Sequence, residues 1–133
     1  MSATTAMPLL LLVEDEAILR LDLEEVLEGA GFTLVSLHSA TTGIGEIEKD
    51  CTRFGGLVTD IDLGNGPSGW DIARRARELC PSIPVVYMSG ASAADWAAQG
   101  VPKSIMLTKP FAPAQLITAV STLMNEAPIP GDT

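Results

Sequence analysis

Basic residues are scarce in this 133-residue chain: eight Lys and Arg stand against seventeen Asp and Glu, which gives a formal net charge of -9 at pH 7. A protein that binds a nucleic-acid backbone needs clustered Lys and Arg to neutralise the phosphates. The cluster that is present, Arg74, Arg75 and Arg77, is expected to form the solvated face of a helix. The composition therefore argues against a nucleic acid as partner.

Cysteine, histidine and long apolar runs are also rare, and each shortage excludes a class of protein. Cys51 and Cys80 lie outside metal-ligand spacing of each other and of the lone His38, so we expect neither a zinc site nor a disulfide framework. The apolar run Leu9–Val13 is far shorter than the about 20 residues that cross a membrane, and no positive charge precedes it. The simplest setting is a reducing cytoplasm, without a membrane partner.

Five short apolar runs predict the strands of a parallel sheet, because they lack the strict alternation of strands that face water on one side. The runs are Leu9–Val13, Thr33–Leu37, Leu57–Asp60, Pro84–Ser89 and Ile105–Thr108. The stretches between and after them have helical spacing and predict helices over residues 19–30, 39–49, 70–79, 91–99 and 112–125. We therefore expect a doubly wound α/β fold of the (βα)5 type, with a five-stranded parallel sheet in the flavodoxin-like order 2-1-3-4-5.

The length fits a single domain. We place this domain at residues 8–125 and expect residues 1–7 and 126–133 to be flexible termini. The loop Gly64–Gly69 is rich in Gly and Pro and is expected to be mobile. It is not a phosphate-binding P-loop, because no Gly-Lys-Ser/Thr follows it.

Charged and polar residues mark the ends of four predicted strands: Glu14 and Asp15 after the first, Asp60 and Ser89 ending the third and fourth, and Lys109 after the fifth. In parallel sheets, functional sites gather at the carboxyl ends of strands. Three carboxylates brought together there repel one another unless a cation is present. Mg²⁺ prefers oxygen ligands and usually keeps several waters, so we expect Asp15 and Asp60 to bind it directly and Glu14 through water.

Asp60 is the candidate nucleophile of this site. An ionised Asp can attack phosphorus and form an aspartyl phosphate, provided that the charge on the transferred group is neutralised. The metal ion and Lys109 would supply that neutralisation, since the long stem of a lysine suits a reach to a phosphoryl oxygen. Ser89 adds a hydroxyl donor for another oxygen.

Four motifs, taken in order along the chain, resemble those of the response-regulator receiver domain (CheY-like, single-domain type) over Leu9 to about Asn125. They are Val13–Glu16, Thr59–Leu63, Met88–Gly90 and Thr108–Phe111. The resemblance implies that Asp60 accepts a phosphoryl group from a histidine kinase or a histidine phosphotransfer protein. It also implies that Asp15, Asp60 and the backbone carbonyl of Asp62 hold Mg²⁺, and that the Lys109-Pro110 bond is cis. Such a protein signals in a phosphorelay and is not an enzyme beyond its own phosphorylation and dephosphorylation.

The residues that would report phosphorylation depart from the family pattern. Met106 stands where the family usually has an aromatic ring that moves inward with the switch hydroxyl, here Ser89. Its flexible thioether is either a repacking switch residue or plain core filler. Tyr87 lies on the same strand face as Ser89 and is a second switch candidate, although a buried Tyr commonly satisfies its hydroxyl on backbone.

Two other functions compete with phosphorelay signalling, whose downstream protein partner the sequence does not identify. One is a receiver-shaped interaction module that is never phosphorylated, since Met106 shows that part of the switch has changed. The other is a phosphohydrolase of the haloacid dehalogenase type, whose nucleophile motif resembles Asp60-Ile61-Asp62. That family places its acidic metal-binding pair after its lysine, whereas here Glu14 and Asp15 come first.

Overall fold

The computed structural model describes residues 8–126, so the predictions for residues 1–7 and 127–133 concern residues outside the described range. Five parallel strands form one sheet in the order β2-β1-β3-β4-β5. The strands are β1 (Leu9–Val13), β2 (Thr33–Leu37), β3 (Gly56–Asp60), β4 (Val85–Ser89) and β5 (Ser104–Thr108). The predicted fold class and strand order are confirmed.

A helix follows every strand, as the spacing of apolar residues predicts. The helices are α1 (Ala17–Gly29), α2 (Ala40–Asp50), α3 (Gly69–Leu79), α4 (Trp96–Gln99) and α5 (Pro113–Glu126). α4 is a single turn that continues a 3₁₀ turn at Ala93–Asp95, and neither element buries a residue. Glu126 belongs to α5, although the sequence assigned it to a flexible terminus.

Polar side chains start two of these helices. The hydroxyl of Ser39 accepts a hydrogen bond from the backbone N–H of Thr42 at the start of α2. At the start of α3, Ser68 and Asp71 form a capping box, in which each side chain accepts from the backbone N–H of the other residue. Such caps satisfy N–H groups that have no partner within the helix. The capping box fixes where the Gly64–Gly69 loop ends and α3 begins.

The sheet is buried on both faces, which explains why its strands lack alternation. On one face Leu11, Val13 and Tyr87 pack in a cluster with side chains of α2 and α3. On the other face Leu12 and Val86 pack with side chains of α1 and α5. Because all five strands are parallel, their carboxyl ends lie along the same edge of the sheet.

Cys51 and Cys80 form a disulfide, with 6.3 Å between their Cα atoms, so the prediction of no disulfide was wrong. The two residues are 29 positions apart in sequence. However, Cys51 follows α2 and Cys80 caps α3, and these two helices are packed against each other. The bond weakens the inference of a reducing compartment, because disulfides persist mainly in oxidising ones.

Within residues 8–126, no helix is both long and apolar enough to cross a membrane.

Candidate functional site

Three carboxylates meet at the carboxyl edge of the sheet, as the strand ends predict. Oxygens of Glu14, Asp15 and Asp60 all lie within 4.8 Å of one another. Glu14 is 1% exposed and Asp60 is 5% exposed, whereas Asp15 is open to solvent. Water and ions therefore reach the acidic cluster from the side of Asp15.

Lys109 supplies the positive charge for two of these carboxylates. Its Nζ lies 3.3 Å from Oε1 of Glu14 and 3.3 Å from Oδ1 of Asp60. The Lys109 N–H donates to the carbonyl of Ser89 at 2.9 Å, and the Lys109-Pro110 bond is cis, as the family resemblance implies. Glu14 is thus paired directly with Lys109, a contact that the sequence did not predict.

The pKa values at this site show how the charges are balanced. Burial raises the pKa of Glu14, and the negative charge of Asp60 raises it further. The hydrogen bond from the backbone N–H of Glu16 and the charged side chain of Lys109 lower this pKa, but they do not cancel the rise. Burial also raises the pKa of Asp60 against the opposing effects of Lys109 and the Ile61 N–H. Burial alone would lower the pKa of Lys109, but the two carboxylates outweigh it and raise that pKa. One lysine therefore leaves the acidic cluster with uncompensated negative charge.

Ser89 is fully buried at the end of β4, and its hydroxyl has two hydrogen-bond partners. It accepts from the backbone N–H of Ser92 at 2.8 Å and donates to Oδ2 of Asp62 at 3.5 Å. The hydroxyl of Ser92 also donates to Asp62, at 3.1 Å to Oδ1 and 3.3 Å to Oδ2. Asp62 is exposed and therefore contributes a carboxylate at the rim of the site as well as a backbone carbonyl.

Ser92 was missed by the sequence reading. It lies three residues after Ser89, outside every motif that carries the family resemblance. Its role follows from the turn that the chain makes between β4 and the 3₁₀ turn, which brings it back to both Ser89 and Asp62. No pattern in the sequence predicts that turn.

Tyr87 and Met106 lie side by side on the sheet, since they are register partners on β4 and β5. The Tyr87 hydroxyl accepts from the backbone N–H of Val101 at 3.0 Å, and its ring packs edge-on against Trp70 at 4.8 Å between centroids. Tyr87 is fully buried, whereas Met106 is half-buried against the cluster of α2 and α3. The Tyr87 hydroxyl thus has a backbone hydrogen-bond partner, and this bond anchors the segment before β5.

The start of α3 lies directly against the end of β3, the strand that carries Asp60. Gly69 donates its N–H to the carbonyl of Ile61 at 2.9 Å. A Cβ at Gly69 would overlap the carbonyl oxygen of Asp60 and lie 2.8 Å from the Cα of Ile61. This close approach of two backbones explains why the position holds glycine.

An apolar surface lies beside the site on α1. Ile18 is 76% exposed and Leu21 is 63% exposed, although both are large aliphatic residues. Next to them, residues of α1, of the Lys109–Phe111 segment and of α5 line a largely apolar cavity of about 520 Å³. The spacing of apolar residues predicts the face of α1 that packs on the core, but not this second, exposed apolar set.

The fold and the site together define the class of protein. The family model described as the response regulator receiver domain matches residues 10–121. The chain therefore belongs to the response-regulator receiver domain family of two-component systems. Domains of this family are signalling modules that bind Mg²⁺ at an acidic pocket, which corresponds here to the cluster at Glu14, Asp15 and Asp60.

Three relatives illustrate the match. A receiver protein of known structure from Sinorhizobium medicae is 47% identical, with a TM-score of 0.87 over 92% of this chain and 98% of its own. A response regulator receiver protein of Anaeromyxobacter sp. is 34% identical over 86% of this chain and 44% of its own length. A receiver domain of a Pseudomonas aeruginosa sensor histidine kinase, with a magnesium ion in its active-site cleft, is 19% identical, with a TM-score of 0.76 over 90% of this chain and 99% of its own. The chain spans less than half the length of the Anaeromyxobacter protein and of other curated regulators that it resembles.

Proposed function

We propose that the protein accepts a phosphoryl group on Asp60 from a histidine kinase or a histidine phosphotransfer protein, and that the resulting aspartyl phosphate changes its contacts with a downstream protein. The observation that carries this proposal is the position of Lys109, whose Nζ lies between Glu14 and Asp60 and is 3.3 Å from each. Lys109 holds positive charge beside the carboxylate that would receive a phosphoryl group.

The chemistry requires one bond to break and one to form. An Asp60 carboxylate oxygen attacks phosphorus, the P–N bond of the donor phosphohistidine breaks, and its electron pair returns to the imidazole. Lys109 stabilises the charge on the transferred oxygens. Ser89, at the adjacent strand end, supplies a hydroxyl that can donate to one of those oxygens.

The residues present fit a Mg²⁺ ion. The donors are all oxygens, two of the three carboxylates are buried with raised pKa values, and Asp15 leaves the cluster accessible. We propose that Asp15, Asp60 and the carbonyl of Asp62 hold the ion, with Glu14 as a more distant contributor. When bound, the ion would neutralise carboxylate and phosphoryl charge.

The test is intact-mass measurement after incubation with acetyl phosphate and Mg²⁺. We expect the wild type to gain the mass of one phosphoryl group and Asp60→Asn to gain none, because the amide is no nucleophile. Omission of Mg²⁺ with a chelator should also prevent the gain. A phosphorylated Asp60→Asn protein would place the acceptor elsewhere, and an unmodified wild type would favour the unphosphorylated interaction module.

The match to the receiver family argues against the phosphohydrolase alternative. We also propose a cytoplasmic location, because histidine kinases draw their phosphoryl group from ATP, which is cytoplasmic; the Cys51–Cys80 disulfide favours an oxidising compartment instead.

We also propose that the phosphodonor protein docks on the exposed apolar face of α1. A phosphohistidine must come within bonding distance of Asp60, so its carrier covers the surface next to Asp15. α1 begins two residues after Asp15 and presents Ile18 and Leu21 there. Contiguous exposed apolar patches often mark protein contacts, and Ile18 and Leu21 lie three residues apart on the same helix.

Ile18→Asp is therefore expected to slow phosphotransfer from phosphorylated histidine phosphotransfer domains by about tenfold or more, the effect of losing one well-packed interface side chain. Phosphorylation by acetyl phosphate should stay unchanged, because this small donor needs no docking. Leu79→Asp is the matched control, since Leu79 is 42% exposed at the far end of α3. Equal slowing by both variants, or none by Ile18→Asp, would contradict docking on α1.

A further inference from the structure

The hydroxyl of Ser89 has two hydrogen-bond partners, and neither is the carboxylate of Asp60; the longer bond, to Asp62, measures 3.5 Å. Its partners are the backbone N–H of Ser92 and the carboxylate of Asp62. A serine hydroxyl carries a single proton. While Ser89 donates that proton to Asp62, it is not available to an oxygen on Asp60.

Ser92 holds the competing carboxylate in place. Its hydroxyl donates to both oxygens of Asp62, at 3.1 and 3.3 Å. Asp62 is exposed, so without this contact its side chain would be free to turn into water, where a carboxylate is best solvated. Ser92 therefore holds both partners close together: its backbone N–H donates to the Ser89 hydroxyl, and its side-chain O–H donates to the Asp62 carboxylate.

The segment after Ser92 depends on such polar contacts. The 3₁₀ turn Ala93–Asp95 and α4 bury no residue. At the far end of this segment, Arg74 donates to the backbone carbonyl of Gln99 at 3.3 Å, and the indole N–H of Trp96 donates to Ser104 at 2.9 Å. Elements with few buried apolar contacts open at low free-energy cost.

We propose that Ser92 is a positioning residue that holds Asp62 against Ser89 and thereby keeps the receiver in its unphosphorylated arrangement. The inference rests on the proposed function, because it is a phosphoryl group on Asp60 that competes with Asp62 for the Ser89 proton. A phosphoryl group also adds negative charge, which repels the Asp62 carboxylate. Phosphorylation therefore breaks the Ser92–Asp62 contact and releases the start of the segment that leads to α4.

The first arm of the test needs no phosphorylation. Amide hydrogen exchange over residues 92–100 is expected to be about fivefold faster in Ser92→Ala than in the wild type, the size of effect of one hydrogen bond. Ser92→Thr keeps the hydroxyl and should exchange like the wild type. Amides of β1 serve as internal control, because a general loss of stability would accelerate them too.

The second arm is a double-mutant cycle on the rate of phosphorylation by acetyl phosphate. Ser92→Ala is expected to raise this rate about fivefold, because the Ser89 proton is freed from its competitor. In an Asp62→Ala background the same substitution should have no further effect, since Ser92 acts through Asp62. A hydroxyl that merely stabilised the loop would change the rate alike in both backgrounds.

Faster exchange confined to residues 92–100, together with a rate increase that requires Asp62, would support the inference. Equal rate changes in both backgrounds, or a Ser92→Ala protein that matches the wild type in exchange and rate, would overturn it while leaving the proposed function intact. A wild type that gains no phosphoryl group would overturn both.

Discussion

Replacing Lys109 with methionine is expected to destabilise the metal-free protein by about 3 kcal/mol, since removal of one partner from a buried ion pair leaves an uncompensated charge. Lys109 contacts Glu14, which is 1% exposed, and Asp60, which is 5% exposed. Without it, both carboxylates lose their neighbouring cation. Methionine keeps the length and apolar packing of the lysine stem, so the change tests charge rather than volume.

The measurement is urea unfolding with and without MgCl₂. Mg²⁺ should recover part of the stability of Lys109→Met, because a divalent cation can neutralise the same carboxylates. Lys49→Met is the control: Lys49 has a side chain 72% exposed, and its ion pair with Glu46 lies on the surface. A surface pair contributes about 1 kcal/mol or less. Equal losses in the two variants would show that Lys109 does not balance the acidic cluster.

Gly69→Ala is expected to cost about 3 kcal/mol or more, at the upper end for overpacking, because the overlapping atoms belong to backbone and not to a flexible side chain. The added Cβ would meet the carbonyl oxygen of Asp60 and the Cα of Ile61. Relief of this overlap must move either α3 or the end of β3. Since the overlapping carbonyl belongs to Asp60, phosphorylation by acetyl phosphate should fall together with stability.

Gly45→Ala is the matched control within α2, where a Cβ would have no atom within 4 Å. There the substitution should stabilise the protein by up to about 1 kcal/mol, the difference in helix propensity between Gly and Ala. Urea midpoints and the rate of phosphoryl gain by intact mass measure both variants. A Gly69→Ala protein that unfolds at the wild-type urea concentration and is phosphorylated normally would refute the close packing of α3 on β3.

The sequence predicted the sheet and the convergence of the acidic residues because both follow from local patterns. Continuous apolar runs indicate strands that are buried on both faces, and parallel strands bring their ends to one edge. The sequence alone therefore places Asp60 and Asp15 near each other. The direct pairing of Glu14 with Lys109 was missed, because it depends on side-chain reach across the sheet.

The disulfide was not predicted, because it depends on contacts between segments that are distant in sequence. The Cys51–Cys80 bond requires that α2 and α3 pack side by side and end near each other. The short helix predicted over residues 91–99 is present as a 3₁₀ turn at Ala93–Asp95 followed by the single turn of α4. The 3₁₀ geometry of its first turn was not predicted, since Ala-rich sequence favours α-helix regardless of packing.

The disulfide has a consequence for how this molecule can move. It joins the C-terminal end of α2 to the C-terminal end of α3, so it restrains the movement of these two helices relative to each other. Both helices pack in the same core cluster. The segment from Ser92 to Gly100 contains no disulfide, and its helical turns bury no side chain. A structural change at Asp60 is therefore expected to spread most readily into the segment between β4 and β5, because its helical turns bury no side chain.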